Sequence, residues 1–248
     1  MRHKNKLGIR EEKIMNAIIL AAGLGSRFKE VTKTKHKALL PIGNVPNIER
    51  NIQYLQAFGI KEIYIVVGYL SEQFEYLKEQ YEGVELIMNP HYREYNSIYT
   101  FSKVLEVFGD SYVMDADVVL FKNIFKKHSK STYYTVQRTT QEVEWIPMTN
   151  AEGRVMEMNI SNEELPSMLG ISYWSKEDAK IIQSAYKAYM NPEQLSNSKL
   201  YWDNIPVALL SHMDVTTYEV ESQWVDEMDT VENYKNILEK HRAVLKEK

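Results

Sequence analysis

The feature that most constrains the fold is an almost uninterrupted apolar run that ends at two glycines. The run spans residues 16–22, and Gly23 and Gly25 follow at once. A strand that is apolar on both sides is typical of the centre of a parallel sheet, where helices cover both faces. Glycines directly after it let the chain turn sharply and present backbone N–H groups to a bound anion. The segment predicts a buried central strand and a loop suited to phosphate groups, with a plain structural turn and a surface Arg27 as the alternative.

Strand and helix patterns alternate along the first half of the chain. Strands are predicted over 62–67, 84–88 and 111–114, and helices over 47–58, 71–81 and 97–108. This alternation is typical of right-handed β-α-β units in a doubly wound sheet. Strand patterns then dominate at 131–137, 145–149, 154–160 and 168–174, before helices return at 176–190, 199–210 and 230–246. We expect an α/β protein with a doubly wound mixed sheet and a small inserted antiparallel lobe.

Composition excludes several classes of function. Thirty basic and 34 acidic residues give a formal net charge of −4, which argues against a globally basic nucleic-acid-binding protein. The absence of cysteine excludes disulfides, zinc–thiolate sites, iron–sulfur clusters and a cysteine nucleophile. The apolar run is much shorter than the roughly 20 residues that span a bilayer, and the charged first 13 residues lack the apolar core of a signal peptide. We therefore expect a cytoplasmic protein with neither nucleic-acid nor membrane partners.

The expected organisation is a single domain with an extension at its start. Residues 1–15 are predicted to be a solvated tail, and residues 16–248 a single domain whose substrate lobe covers about 131–210. The chain shows no internal repeat, low-complexity tract or linker, which favours an inserted lobe over two independent domains.

Several short motifs follow one another in a fixed order. They read Gly-Leu-Gly-Ser-Arg at 23–27, Lys-Ala-Leu-Leu-Pro-Ile at 37–42, Val-Val-Gly-Tyr-Leu at 66–70, Tyr-Asn-Ser-Ile-Tyr at 95–99, Asp-Ala-Asp at 115–117, Leu-Tyr-Trp-Asp-Asn at 200–204 and Glu-Met-Asp-Thr-Val at 227–231. Over roughly residues 16–240 this set resembles the bacterial CTP:phosphocholine cytidylyltransferases of the nucleotidylyltransferase superfamily. The resemblance implies a Rossmann-like nucleotidyltransferase domain that transfers CMP from CTP to phosphocholine and forms CDP-choline and pyrophosphate.

The resemblance also implies a role for each matching residue. Arg27 would assist the leaving pyrophosphate, and Lys37 would stabilise both the α-phosphate and the incoming phosphate. Asp117 and Asp229 would bind Mg²⁺, a cofactor that suits carboxylates together with phosphate oxygens. The nucleotide-binding residues would be Leu24, Gly25, Ser26, Asn96 and Ser97.

Other polar residues receive less specific predictions. Asp115 and Asp117 follow a predicted strand at the carboxyl edge where α/β sheets bind ligands, and we expect Asp115 to accept backbone N–H groups that order the turn. His36, His91, His128 and His212 show no metal-binding spacing, so surface or capping positions are expected for them. His36 stands where the resemblance would place a proline, a departure that concerns the geometry of the loop before Lys37.

Aromatic residues concentrate in the second half of the chain and suggest an acceptor pocket. A quaternary ammonium is attracted to aromatic faces, although core packing accounts for part of this set. The predicted pocket consists of Glu144, Trp145, Tyr173, Trp202 and Asp203. Together with the resemblance, which implies CTP, this pocket makes CTP and a small phosphorylated amino-alcohol the expected partners. Alternatives are phosphoethanolamine, 2-aminoethylphosphonate or an amino-acid phosphate as acceptor, a sugar-1-phosphate nucleotidylyltransferase, and an inactive nucleotide sensor.

Overall fold

The computed structural model describes residues 15–28, 31–138 and 142–246. Except for Met15, the predicted tail lies outside the described residues. The strands are β1 Asn16–Ala21, β2 Pro41–Ile42, β3 Val45–Pro46, β4 Glu62–Val67, β5 Val84–Met88, β6 Ser111–Asp115, β7 Val118–Leu120, β8 Thr132–Val136, β9 Glu144–Thr149, β10 Val155–Ser161, β11 Ser167–Trp174, β12 Thr216–Val220 and β13 Val225–Glu227. The helices are α1 Asn47–Phe58, α2 Leu77–Gln80, α3 Ser97–Ser102, α4 Lys176–Tyr186, α5 Pro192–Ser196, α6 Asn204–Ala208 and α7 Val231–Lys246.

A seven-stranded mixed sheet forms the centre of the molecule, in the order β12-β8-β11-β6-β1-β4-β5. Strands β5, β4, β1 and β6 are parallel, whereas β11 is antiparallel to both β6 and β8. The chain passes from β1 to β4 and β5 on one side and then to β6 on the other. The winding direction therefore reverses between β1 and β6, at a point where open α/β sheets bind ligands. The predicted α/β class with a doubly wound mixed sheet is confirmed.

Both faces of the central strands are covered, as the apolar run predicts. Ile19 of β1 belongs to the cluster that includes Ile52 of α1, whereas its neighbour Ile18 belongs to the cluster that includes Phe101 of α3. Each of these side chains is fully buried. Successive residues of a strand point to opposite faces, so a strand buried on both sides must be apolar throughout.

The segment assigned to a substrate lobe contributes to two different sheets. Strands β8 and β11 join the central sheet, and every residue of β8 is buried. Strands β9 and β10 pair antiparallel in a separate two-stranded sheet, and this sheet leaves Met156 and Ile160 exposed. Only the β9–β10 pair stands outside the central sheet within this segment of the described chain.

Several helices are shorter than their patterns predict. The helix expected over 199–210 begins only at Asn204. The backbone N–H groups of Tyr201 and Trp202 donate to side chains outside the helical pattern. Tyr201 N donates to Asn204 Oδ1 at 2.7 Å, and Trp202 N donates to Ser97 Oγ at 3.0 Å. Residues 71–81 form a 3₁₀ turn at Ser71–Phe74 followed by the short helix α2, and α3 ends at Ser102. Among the described helices, none has the length and apolar character required to cross a bilayer.

Candidate active site

A cleft of about 440 Å³ opens at the carboxyl ends of β1 and β6. Leu20 of β1 pairs with Asp115 of β6, so the glycine loop and the Asp-Ala-Asp turn leave the sheet side by side. Asn47, at the start of α1, donates from Nδ2 to the carbonyl oxygens of Ala116 and Val118 at 3.1 and 2.9 Å. These bonds hold the Asp-Ala-Asp turn at the edge of the sheet.

Two cations and two carboxylates from distant parts of the sequence meet in this cleft. Lys37 Nζ lies 2.5 Å from Asp117 Oδ2 and 3.9 Å from Asp229 Oδ1. The Arg27 guanidinium also reaches Asp229 Oδ1, at 3.0 Å. Met228 N donates to the carbonyl oxygen of Asp117 at 2.9 Å, which joins the two carboxylate-bearing segments. The structure thus brings together the predicted catalytic and metal-binding residues.

Lys37 is held in its charged form by its surroundings. Burial acts to lower the pKa of its ammonium group, but the charge and hydrogen bond of Asp117, together with Asp229 and Asp115, raise it above the ordinary value. The side chain is 16% exposed. A charged lysine at a partly dry site interacts more strongly with phosphate than one in water.

The glycine loop lies at the rim of the cleft. Gly23 and Arg27 line the cleft, and Leu24, Gly25 and Ser26 lie between them in the sequence. Gly25 has φ of +60°, a left-handed conformation that favours glycine. The loop is open to solvent at Leu24 and Ser26, so its backbone is accessible to a polyphosphate.

The predicted nucleotide-binding residues Asn96 and Ser97 line the cleft, but internal contacts use their side chains. Asn96 caps α3 and donates from Nδ2 to the carbonyl oxygens of Gln194 and Asn197. Ser97 Oγ accepts the N–H of Trp202. Both residues therefore hold the segment that carries Tyr201, Trp202 and Asp203 against α3.

Three carboxylates, Asp115, Asp203 and Glu227, line the same cleft and are called the acidic pocket below. Burial raises the pKa of Asp203 to about 7 and that of Glu227 to about 8. Burial, together with Asp117, Asp203 and Glu227, also raises the pKa of Asp115. Within the described chain Asp115 and Asp203 form no ion pair. Burial therefore opposes ionisation of these carboxyl groups, and a bound cation would favour their charged forms.

The prediction that Asp115 accepts backbone N–H groups is wrong. Among the described residues, no backbone N–H donates to its carboxylate. Asp203 likewise stands at the N-cap position of α6 without capping it. Both carboxylates are consequently available to a ligand in the cleft.

Arg138 is a functional candidate that the motifs did not reveal. Its guanidinium lies 2.5 Å from Glu227 Oε2 and 3.6 Å from Glu144 Oε2. Glu144 lines an adjoining cavity of about 570 Å³ that also reaches Arg27 and Asp229. The one sequence signal was a basic residue shortly after the fully buried strand β8. Arg138 partly neutralises Glu227, which leaves Asp115 and Asp203 as the uncompensated members of the acidic pocket.

The aromatic residues of the predicted acceptor pocket separate into exposed and buried ones. Trp202 is 3% exposed, and its ring stacks on Phe101 with centroids 4.3 Å apart, so it contributes to the core and only its margin reaches the cleft. Tyr201, by contrast, is 51% exposed and lines the cleft. Trp145 stands edge-on to Tyr201 at 6.3 Å. The accessible aromatic faces that line the cleft thus belong to Tyr201 and to the partly exposed Tyr92 and Tyr95, whereas the predicted Trp145 contacts Tyr201 without lining the cleft itself.

Tyr173 lies away from the cleft. It pairs with Tyr112 near the start of β6, whereas the cleft lies at the other end of that strand. Its hydroxyl donates to Asp110 Oδ1 at 2.7 Å. Its substrate-binding assignment must be corrected, because the register of β11 on β6 carries its side chain to the opposite end of the sheet.

Replacing Gly170 by alanine is expected to destabilise the protein by about 2–3 kcal/mol and to weaken acceptor binding. Gly170 has φ of +66°, and an added Cβ would lie 3.1 Å from Asp115 Oδ2 and 3.2 Å from a methyl group of Val118. Gly153→Ala is the matched control, because Gly153 also has a positive φ but nothing lies within 4 Å of its added Cβ. Urea unfolding and acceptor KM of the two variants separate backbone strain from displacement of Asp115; equal effects would exclude the displacement.

The chain is similar in sequence to several known proteins. A family model described as a MobA-like NTP transferase domain matches residues 17–125. A choline-phosphate cytidylyltransferase from Haemophilus influenzae is 48% identical over 91% of this chain and 97% of its own length. A 2-aminoethylphosphonate cytidylyltransferase from Lancefieldella rimae is 35% identical over 87% of this chain and 89% of its own length.

A solved structure supports the same relationship. The CTP:phosphocholine cytidylyltransferase from Streptococcus pneumoniae superposes with a TM-score of 0.85 and 37% identity, over 91% of this chain and 98% of the other. Sequence and fold agree over nearly the whole length of both proteins. The chain therefore belongs to the family of choline-phosphate cytidylyltransferases.

Proposed function

We propose that this enzyme transfers CMP from CTP to phosphocholine and releases CDP-choline and pyrophosphate. One observation carries the proposal: Lys37 and Arg27 converge on Asp117 and Asp229 where the sheet reverses its winding, beside an acidic pocket that lacks a full complement of cations. The cationic end of this cleft suits phosphates, and the acidic end suits a positively charged acceptor. Phosphocholine carries both charges on one small molecule.

The reaction is a displacement at the α-phosphorus of CTP. An oxygen of the phosphocholine phosphate forms a new bond to the α-phosphorus, and the bond from that phosphorus to the bridging oxygen of the β-phosphate breaks. The leaving pyrophosphate keeps the electron pair. No general base is required, because the attacking phosphate is already ionised at neutral pH. Catalysis then consists of orienting the two reactants and stabilising the charge on the phosphoryl oxygens.

Each residue of the cleft binds or stabilises the phosphate group that lies closest to it. The backbone of the glycine loop binds the β- and γ-phosphates, and Arg27 at the end of the loop stabilises the leaving pyrophosphate. Lys37 reaches the α-phosphate and the incoming phosphate, and reduces the repulsion between the two anions. Their present bonds to Asp117 and Asp229 keep both cations directed into the cleft before the nucleotide binds.

Mg²⁺ is the cofactor proposed for this site. Carboxylate oxygens of Asp117 and Asp229 both lie within 4 Å of the same ammonium nitrogen of Lys37, which shows that the two side chains can approach one cation. Two protein carboxylates together with phosphate oxygens form a donor set that Mg²⁺ prefers. When bound by Asp117 and Asp229, Mg²⁺ would neutralise charge on the phosphates of CTP.

Chelation of divalent metal is expected to abolish turnover. The test measures pyrophosphate release from CTP with phosphocholine, in excess chelator and after Mg²⁺ is restored. UTP, ATP and dTTP serve as comparison nucleotides, and CTP is expected to be the preferred substrate. Full activity in chelator would refute the metal proposal, and equal use of the four nucleotides would refute the assignment to CTP.

The acidic pocket favours phosphocholine over a neutral acceptor. A sugar phosphate supplies no cation to Asp115 and Asp203, whereas a trimethylammonium group stabilises their charged forms and packs against the exposed face of Tyr201. A primary amine is the second candidate, because the same carboxylates can accept N–H bonds from 2-aminoethylphosphonate or phosphoethanolamine. The proposal also includes a cytoplasmic location. It further includes the lack of a nucleic-acid partner, which the net charge of −4 supports.

A further inference from the structure

His36 uses its two ring nitrogens in two different segments of the active site. Nδ1 accepts the N–H of Ala38 at 3.2 Å and thereby caps the short 3₁₀ turn Lys37–Leu39. The bond between Nε2 and the carbonyl oxygen of Gly23, at 3.2 Å, reaches the glycine loop. Because Nδ1 must be free of a proton to accept from Ala38, Nε2 carries the proton and donates to Gly23. One side chain thus links the turn of Lys37 to the loop expected to bind phosphate.

The surroundings of His36 keep its ring in this orientation. The residue is 2% exposed, and its ring meets Phe74 edge-on with centroids 4.9 Å apart. Its backbone N–H donates to Gln73 Oε1 at 3.0 Å. Burial lowers the pKa of His36 to about 4, so the ring is neutral at neutral pH. The expectation of a capping role is confirmed, whereas a surface position is not.

The backbone of His36 has the conformation that a proline would impose. Its φ is −64° and its ψ is 140°, and proline fixes φ near −65°. A proline would lack the N–H that Gln73 accepts, and it would supply neither the cap of Ala38 nor the bond to Gly23. The histidine therefore reproduces the backbone angle through hydrogen bonds and adds a connection that proline cannot make.

We propose that His36 is a positioning residue that fixes Lys37 relative to the glycine loop, so that the lysine and the phosphate-binding backbone act on one bound CTP. The cap on Ala38 sets the orientation of the turn that carries Lys37, and the bond to Gly23 sets the distance between this turn and the loop. This inference rests on the proposed function, because its consequence concerns the alignment of Lys37 with CTP. Loss of alignment affects turnover more than folding.

Three substitutions separate the two bonds. His36→Asn keeps an acceptor near the position of Nδ1, and His36→Gln keeps a donor near the position of Nε2, whereas His36→Phe removes both bonds and keeps a ring against Phe74. His212→Phe is the control, because His212 is exposed and distant in sequence from the loop. Calorimetry measures the Kd of CTP without any acceptor, and pyrophosphate release gives kcat with whichever acceptor the wild-type enzyme uses best. Circular dichroism gives the Tm of each variant.

One hydrogen bond contributes about 1 kcal/mol, or roughly fivefold, so two bonds correspond to roughly 30-fold. His36→Phe loses both bonds and is expected to lower kcat about fivefold and to weaken CTP binding about fivefold, which together account for the roughly 30-fold total. His36→Asn is expected to keep kcat within threefold but to weaken CTP binding about fivefold. His36→Gln is expected to keep CTP binding within threefold but to lower kcat about fivefold.

A lower Tm with kcat and CTP affinity unchanged in all three variants would overturn the proposal, because it would reduce His36 to a packing residue. If His36→Phe does not fold, the other two variants decide the test. Weaker CTP binding in His36→Asn together with a lower kcat in His36→Gln supports the proposal, whereas the same change in both variants overturns it. A wild-type preference for another acceptor would refute phosphocholine as substrate. It would not affect the test of His36, since every variant is compared with wild type on the same acceptor.

Discussion

Replacing Lys37 by alanine is expected to lower kcat for pyrophosphate release by about 10²–10³-fold. Its ammonium lies between Asp117 and Asp229 and is the buried cation of the cleft best placed to reach the α-phosphate. Loss of one preorganised group that stabilises transition-state charge costs about 3–4 kcal/mol. Most of this loss should appear in kcat, because the charge that Lys37 stabilises is greatest in the transition state.

Lys35→Ala is the matched control for this substitution. Lys35 is exposed and lies two residues earlier in the same loop, so its removal changes the charge of the segment without touching the cleft. The control is expected to retain wild-type kcat, and circular dichroism should show that both variants are folded. Near-normal turnover of a folded Lys37→Ala variant would exclude the lysine from the mechanism.

Replacing Asp203 by asparagine is expected to raise the KM of phosphocholine about 30-fold. Removal of one partner of a buried charge pair costs about 2 kcal/mol or more, and about 2 kcal/mol corresponds to roughly 30-fold. The effect should depend on the charge of the acceptor. 3,3-Dimethylbutyl phosphate has the shape of phosphocholine with carbon in place of nitrogen, so the substitution should leave its KM nearly unchanged.

The pKa of Asp203 adds a dependence on pH. Because burial raises this pKa to about 7, the carboxylate is protonated below about pH 7, and the KM of phosphocholine in the wild-type enzyme should rise as the pH falls. In the ligand-free protein the raised pKa lowers stability as the pH increases from about 4 to 7. Asp203→Asn should therefore be more stable than wild type above pH 7, by about 1–2 kcal/mol after allowance for partial exposure.

Asp214→Asn is the control for both measurements, because among the described residues the carboxylate of Asp214 pairs only with Lys130, at the surface. It should change neither the KM nor its dependence on pH. An equal rise in KM for the charged and the neutral acceptor in Asp203→Asn would show that the carboxylate supports the shape of the pocket and does not bind the cation.

The sequence predicted the parts of the site that depend on local pattern. The apolar run 16–22 and the following glycines identified the central strand and the loop, because burial on both faces requires that composition. Asp117 and Asp229 were found through short motifs, each beside a recognisable strand or helix. Their meeting in space follows from the parallel pairing of β1 with β6 and from the bond between Met228 and Asp117.

The parts that depend on side-chain direction were not predictable. Tyr201 and Trp202 are adjacent, yet one ring is exposed in the cleft and the other stacks on Phe101, because the N–H bonds to Asn204 and Ser97 set the backbone between them. Composition cannot distinguish two neighbouring aromatic residues. The same holds for Tyr173, whose position is determined by the register of β11 on β6.

Long-range partners were the other source of error. Arg138 pairs with Glu227 across 89 positions of sequence, and the carbonyl that His36 reaches belongs to the glycine loop, 13 positions earlier. A sequence pattern describes one segment at a time, whereas the partners of a polar group are determined by how distant segments pack. His36 takes the predicted capping position, but its burial and its bond to Gly23 were not predicted.

The most direct test of the proposed function is a comparison of acceptors with CTP and Mg²⁺. Purified enzyme is assayed for pyrophosphate release with phosphocholine, phosphoethanolamine, 2-aminoethylphosphonate and glucose-1-phosphate, and the nucleotide product is identified by mass. The structure predicts that phosphocholine has the highest kcat/KM and yields CDP-choline, because the acidic pocket and Tyr201 together suit a quaternary ammonium group. A higher kcat/KM for a primary-amine or sugar acceptor would contradict the assignment of phosphocholine as the substrate.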